Sequence, residues 1–497
     1  MEEVRVWQQQ VTIPTYEIGK AEKAPIFLEK RVYQGSSGKV YPYPTIEKIS
    51  DEKVDREYTA VWLENEYLKV MVLPELGGRI QRAYDKTNGY DFVYYNHVIK
   101  PALVGLTGPW ISGGIEFNWP QHHRPTTFLP VDYAVEEAAD GSGSVLLHDV
   151  DRMYGTKGIV RISLYPGKAY IEIRGQLYNR TSMPQTFLWW ANPAVPVNDH
   201  TQSIFPPDVH AVMDHGKRDV SRFPIATGVY YKHDYSEGVD ISRYKNIVVP
   251  TSYMAEKSRY DFVGGYDYEK KAGILHVADH HISPGKKQWT WGCGDFGKAW
   301  DRNLTDEDGP YVELMTGVYT DNQPDFTWLK PFEEKTFKQY FMPYKVVGQV
   351  KNATTEACIH LSYDGEKAKI AVYATGVYED AQIVLTAGEE VLLNEQAKVS
   401  PVDIYEKTVA AAGLAEEILH LAVYAGGKCL VEYQPEEKVI PKLPEPAKAV
   451  KEPEEIQTCE ELYLTGQHIE QYLHATYLPD PYYLEGLKRD SKDIRLN

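Results

Sequence analysis

The chain has 497 residues, 43% of them hydrophobic, which is enough to bury more than one core and predicts two to four domains. Its 53 basic and 71 acidic residues leave a net charge of -18, which repels nucleic-acid phosphate and anionic lipid and excludes both as partners. Four cysteines, Cys293, Cys358, Cys429 and Cys459, lack CxxC or CxxH spacing and are expected to be reduced structural thiols rather than disulfides or zinc ligands.

The N-terminal stretch has no basic start followed by an apolar core, and no later run is long enough to span a bilayer. A cytoplasmic location is therefore predicted, with residues 1–57 forming a β segment packed on a main domain. From residue 58 to 345 the chain alternates in short segments broken by Gly, Pro, Asn and Asp. The segments "AVWLENEYLKVMVLPELGG", "SVLLHD", "GIVRISLYPGKAYIEIRGQLYN" and "TFKQYFMPY" read as strands, and helical periodicity is absent over the span. That length and pattern predict a mainly β fold, a large two-sheet antiparallel supersandwich that carries the catalytic site.

Residues 346–433 alternate again, as in "KAKIAVYAT" and "AQIVLTAG", and predict a small accessory β-sandwich. The Pro, Lys and Glu of residues 434–455 read as a linker, extended and mobile unless it docks. Residues 456–497 switch to helical signals: Thr458, Glu460 and Glu461 start a helix, Pro479 to Pro481 break it, and a second helix runs from 481 to 488. With Gly466, Tyr482 and Asp490, this segment resembles one tetratricopeptide unit. Such solenoids need about three units and a cap, so the natural chain is expected to continue past Asn497. The repeats are also expected to serve a homo-oligomer or a protein partner.

The chain contains 38 Tyr, 10 Trp and 13 Phe. Aromatics favour strands, and they also line sugar sites, because a ring offers an apolar face beside polar edges. One stretch concentrates them with polar groups: "GPWISGGIEFNWPQHHRPTT", Gly108 to Thr127, holds a Gly-Gly pair, two tryptophans, Glu116, His122, His123 and Arg124. It carries no phosphate-loop spacing, and no HxH, HExxH or Asp-rich calcium loop occurs in the chain, so neither metal nor cofactor is expected.

Three motifs, in order, resemble the aldose 1-epimerases, or galactose mutarotases, over roughly Glu57 to Lys345. They are "VMVLPELGGRIQRAYDKTNGYDFVYYN" from Val70, "PWISGGIEFNWP", and "GPYVELMTGVYTDNQPDF" from Gly309. The whole arrangement also resembles a bacterial family that joins a mutarotase-like domain to tetratricopeptide repeats. The resemblance implies that Glu313 is the catalytic glutamate, followed by an Asp/Asn/Pro loop, "DNQPDF", and that Arg79 touches substrate.

The chain departs from that family at the catalytic histidine. Where the family has it, this sequence reads "FLWWANPAVPVND", offering Trp189, Trp190 and Asn192, and the upstream family histidine is Ser112. Mutarotation needs a base and an acid on opposite sides of one anomeric centre, so His122, His123, His200 or His210 would have to supply the acid from another loop. Glycoside hydrolysis needs two carboxyls, one protonated and one ionised. Glu313 and Glu116 are the expected catalytic pair, each set among aromatics whose desolvation could raise one pKa. The expected activity is accordingly a glycoside hydrolase acting on oligosaccharides or glycosides. The alternatives are an aldose epimerase with Glu313 as base and a non-catalytic sugar-binding protein.

Binding to a mono- or oligosaccharide is assigned to Arg79, Trp119, His122, His123, Arg124, Trp190, Asn192, Asp295 and Asp301. Arg124 could act as a fork for an anionic substituent. Adjacent residues on a strand face opposite ways, so one of His122 and His123, one of His280 and His281, and one of Trp189 and Trp190 are expected to face a cleft. The run Asp306, Glu307, Asp308 reads as a solvated turn.

Overall fold

The computed structural model describes residues 2–23, 40–320, 326–437, 439, 441–471 and 477–497. Period-two alternation builds most of it. In the strand Thr156–Leu164 every second residue is buried up to its end, as a sheet with one covered face requires. Among the described residues a 12-stranded antiparallel sheet faces an 8-stranded one. Four strands at the centre of the larger sheet position the site: β1 (Ile115–Asn118), β2 (Trp190–Pro196), β3 (Gly285–Thr290) and β4 (Tyr311–Gly317), in the spatial order β1-β2-β4-β3.

The inward face of these strands, Ile115, Phe117, Ala191, Val195, Val312 and Leu314, joins Ile162, Ile173 and Phe341 of the smaller sheet in one core. The opposite face therefore carries Glu116, Asn192, Lys287, Trp289 and Glu313. The N-terminal strand Arg5–Ile18 extends the larger sheet through a ladder with Ile49–Glu64, from Arg5 opposite Glu64 to Ile18 opposite Ile49.

Two further four-stranded sheets enclose a separate core that includes Ile359, Ile370, Ile383 and Leu421. Tyr344, Val347, Cys358 and Tyr373 join this unit to the main body. All four cysteines are free. The described part of the linker is docked by Arg222 Nη1 to Pro441 O at 3.3 Å, Ala447 N to Lys217 O at 2.7 Å, and an ion pair of Arg259 with Glu436.

One helix, α1 (Asp295–Leu304), interrupts a span expected to be all β. Phe296, Trp300 and Leu304 recur at i, i+4 and i+8, a helical stripe in the sequence itself, and Gly297 and Leu304 are the helix's buried residues. Near the C-terminus, α2 (Cys459–Gln471) and α3 (Asp480–Arg489) form the helical hairpin. The Thr458 hydroxyl accepts from Glu461 N at 3.1 Å and caps α2. Gly466 lets Tyr483 pack on that helix, since a Cβ there would sit 2.4 Å from its ring. No helix among the described residues is long and apolar enough to cross a membrane.

Candidate functional site

Register brings the two glutamates expected from the sequence to one face. Asn192 on β2 lies opposite Glu116 on β1, Ala194 lies opposite Glu313 on β4, and Trp289 on β3 flanks Glu313 from the other side. Above them opens a cleft of about 560 Å³ lined by Glu313, His122, His123, Lys287, Trp110, Trp289, Trp291 and Trp300, with Asp214, His215, Arg218 and Tyr231 along another wall. A hairpin whose strands are Ala102–Gly105 and Gly108–Trp110 adds Leu103 and Val104.

Glu116 lies beneath this cleft and does not line it. Its Oε1 accepts from the Thr127 hydroxyl, and its Oε2 from Trp110 Nε1 at 3.1 Å and His123 Nδ1 at 2.8 Å. Burial alone would raise its pKa, but His123, His122 and Arg79 together hold it well below the usual carboxylate range. The glycines of the two Gly-Gly motifs make the supporting turns possible. Gly77 (φ 70°) and Gly114 (φ 66°) adopt left-handed backbone, and a Cβ would meet Thr127 O at 2.4 Å and Ile80 O at 2.0 Å, respectively.

Glu313 behaves in the opposite way. Burial pushes its carboxyl up to about 7 against the pull of His123 and Lys287. Burial also lowers the Lys287 ammonium to about 7, opposed by Glu313. Lys287 Nζ sits 5.6 Å from the centre of the Trp190 ring. Asn192 Nδ2 bridges the machinery, 2.8 Å from His122 Nε2 and 3.3 Å from Glu313 Oε2. Burial, then the charges of His123 and Lys287, hold His122 well below its ordinary value.

His122 and His123 both line the cleft, with ring centres 3.9 Å apart. The expectation that only one would do so assumed a strand, but residues 121–123 form a bend, where period-two alternation does not apply. His280 and His281 pair with Asp261 and Asp279, and neither they nor His200 and His210 line the cleft.

The remaining expected residues divide. Arg79 is buried behind Glu116 and donates to Ile111 O at 2.9 Å, while the Arg124 side chain donates to Gly77 O and its backbone N–H to Asn118 Oδ1. Trp119 packs into the inter-sheet core, and Trp189 there donates to Gln339 Oε1 at 3.0 Å. Trp190 is fully buried against Gly285 and Gly317. Asp295 is exposed on the first turn of α1, and Asp301, pushed up to about 6 by burial, does not line the cleft. Asp306 is tied to Lys53, Lys100 and Tyr16, whose bonds bring it to about 2 although burial opposes them. Asp308 pairs with His97. The "DNQPD" part of the loop expected after Glu313, residues 321–325, lies outside the described residues.

Lys287, Trp289, Trp291, Trp300, His215 and Arg218 line the cleft without having been singled out from sequence. The alternation in "KKQWTWG" already puts Lys287, Trp289 and Trp291 on one face. Ligand-type atoms of Glu116, His122 and His123 lie within 4.8 Å of one another, as do those of Asp279, His280 and His281. In the first group, the Glu116 oxygens, His123 Nδ1 and His122 Nε2 all have protein hydrogen-bond partners.

Residues 36–350 match the family described as domain of unknown function (DUF5107), and residues 352–433 match the second domain of YphG-like proteins. A TPR-domain containing protein from Parabacteroides distasonis is 25% identical with a TM-score of 0.60, over 69% of this chain. The match spans 55% of that protein's length. Galactose mutarotase-like proteins from Clostridium acetobutylicum and Lactobacillus casei align at 9% and 10% identity, with TM-scores of 0.41 and 0.38. These alignments cover 58% and 57% of this chain and 96% and 100% of theirs.

Proposed function

This chain belongs to the DUF5107 family, and we propose that it is a carbohydrate-active enzyme of aldose 1-epimerase type, opening and reclosing a cyclic hemiacetal with Glu313 as base and His123 as acid. The observation that carries this reading is the state of Glu116. Both of its oxygens accept bonds from protein donors, and one of those donors is His123. A two-carboxylate hydrolysis would need Glu116 free to protonate a leaving oxygen or to meet water. Ring opening needs only one base and one acid.

In that reaction Glu313 removes the proton of the anomeric hydroxyl, the C1 carbonyl forms, and the C1–O5 bond breaks. O5 takes the proton from His123 Nε2. Rotation about C1–C2 and reversal of the steps deliver the other anomer. The carboxylate at Nδ1 fixes the ring of His123, which lines the cleft, and stabilises positive charge on the imidazole. Asn192 steadies Glu313 Oε2 during proton transfer.

The test is anomer exchange in a panel of free aldoses, followed by polarimetry or proton NMR. The wild-type chain should accelerate at least one aldose, and Glu313→Gln and His123→Ala should each lose about 10²-fold or more of that rate. If no aldose equilibrates faster with protein than without it, the proposal fails.

A further inference from the structure

One end of the cleft is aromatic and takes no part in the proton transfers described above. Trp291 and Trp300 stack with ring centres 4.1 Å apart and planes 11° apart, and Trp289 meets Trp291 edge-on at 5.4 Å. Trp291 is fixed by a bond from its Nε1 to Tyr311 OH at 3.2 Å, and Trp300 rides on α1, anchored by buried Leu304. Across from them the hairpin presents Leu103, which is 52% exposed. The result is a rigid, half-buried stack of two indoles, an apolar shelf in the same cleft as Glu313 and His123.

We infer that the Trp291–Trp300 shelf is a second sugar subsite, so that the substrate is an oligosaccharide of at least two rings, with its reducing end at Glu313 and the next ring on the indoles. This deepens the reading above by naming its substrate class. A pyranose has an apolar C–H face that covers an indole while its rim of hydroxyls stays in water, so an open shelf of this shape suits a sugar. A single ring held at Glu313 would leave the tryptophans uncovered. An acidic polymer is disfavoured by the net charge of -18.

The test is calorimetric binding to the full chain carrying Glu313→Gln, so that turnover plays no part. The probes are a panel of free aldoses and the disaccharides that end in them. At least one disaccharide should bind about tenfold more tightly than its own reducing-end aldose. Trp300→Ala should remove that advantage and leave the aldose affinity within about twofold. Leu103→Ser, on an exposed hairpin position where folding is not at stake, should weaken the disaccharide alone. Equal affinities for the two sizes, binding of neither, or equal weakening of both by Trp300→Ala would overturn the inference. Shelf-dependent binding without anomer exchange in the wild-type chain would sink the catalytic reading and leave this one standing.

Discussion

His123 Nδ1 lies 2.8 Å from Glu116 Oε2, so one of the two glutamates anticipated from sequence is engaged by a histidine, and in the proposed reaction it acts through that ring. Glu116→Gln keeps the shape of the side chain but removes the charge that orients and stabilises the His123 ring. We expect kcat for anomer exchange to fall about 10²-fold with KM little changed, while Glu313→Gln abolishes measurable exchange. A Glu116→Gln chain with wild-type kcat would show that the histidine does not act through this carboxylate.

The rate should also depend on pH through the Glu313–Lys287 pair, since burial brings both groups to about 7. The base must be ionised, so exchange should fall as pH drops through that region. The apparent pKa of this limb belongs to the pair, because the two groups titrate together. Lys287 lowers the pKa of Glu313, and removing its charge with Lys287→Met should therefore move the limb to higher pH. Rate profiles of the two proteins would decide this, and a limb that moved the other way would contradict the coupling.

The same buried carboxyl predicts a stability gain on losing function. The folded pKa of Glu313 stands above its ordinary 4.5, so the folded chain binds this proton more tightly than the unfolded one. Its contribution to stability is full below 4.5 and is lost as pH rises through about 7, where the ionised, buried carboxylate becomes a cost. Glu313→Gln should then raise the melting temperature relative to wild type, and by more at about pH 8 than at about pH 5. A gain that was equal at both values would mean the carboxyl is not shifted.

Much of this design is visible in local sequence, and its limits are physical. Alternation reveals the strands, and the Gly-Gly motifs mark Gly77 and Gly114, where only a residue without Cβ lets two backbones meet. The meeting of Glu116 with Asn192 and Glu313 depends on pairings among β1, β2 and β4, which are far apart in the chain, and no local pattern encodes that order. Reading His122 and His123 as strand residues sent them to opposite faces, whereas a bend brings both into the cleft. Helix α1 does carry a helical signal, with Phe296, Trp300 and Leu304 at i, i+4 and i+8, but it is brief and lies between strand patterns, and with it Trp300 escapes notice. His215 and Arg218 sit in the turn of a hairpin between Ala211–Met213 and Val220–Arg222, held by backbone donation from Arg218 and Asp219 to Asp214 Oδ1, and nothing in that local turn says which cleft it will border. Trp119 was expected to meet sugar because it neighbours Glu116 in sequence, but a tryptophan in a β protein serves a core equally well.

That last distinction can be measured. A Cβ placed on Gly158, in the strand Thr156–Leu164 of the smaller sheet, would sit 2.4 Å from the Trp119 ring, so the indole fills the space between the sheets. Trp119→Phe leaves part of that space empty and should cost about 1–3 kcal/mol of stability, and Gly158→Ala should cost a similar amount by overpacking. Neither change touches the cleft, so KM and kcat for anomer exchange at a temperature well below melting should stay within about twofold of wild type. The two effects should also fail to add when combined, because the smaller ring makes room for the added methyl. Chemical denaturation of the single and double variants, alongside their kinetics, tests both halves. A Trp119→Phe chain of unchanged stability with a raised KM would return Trp119 to the sugar site.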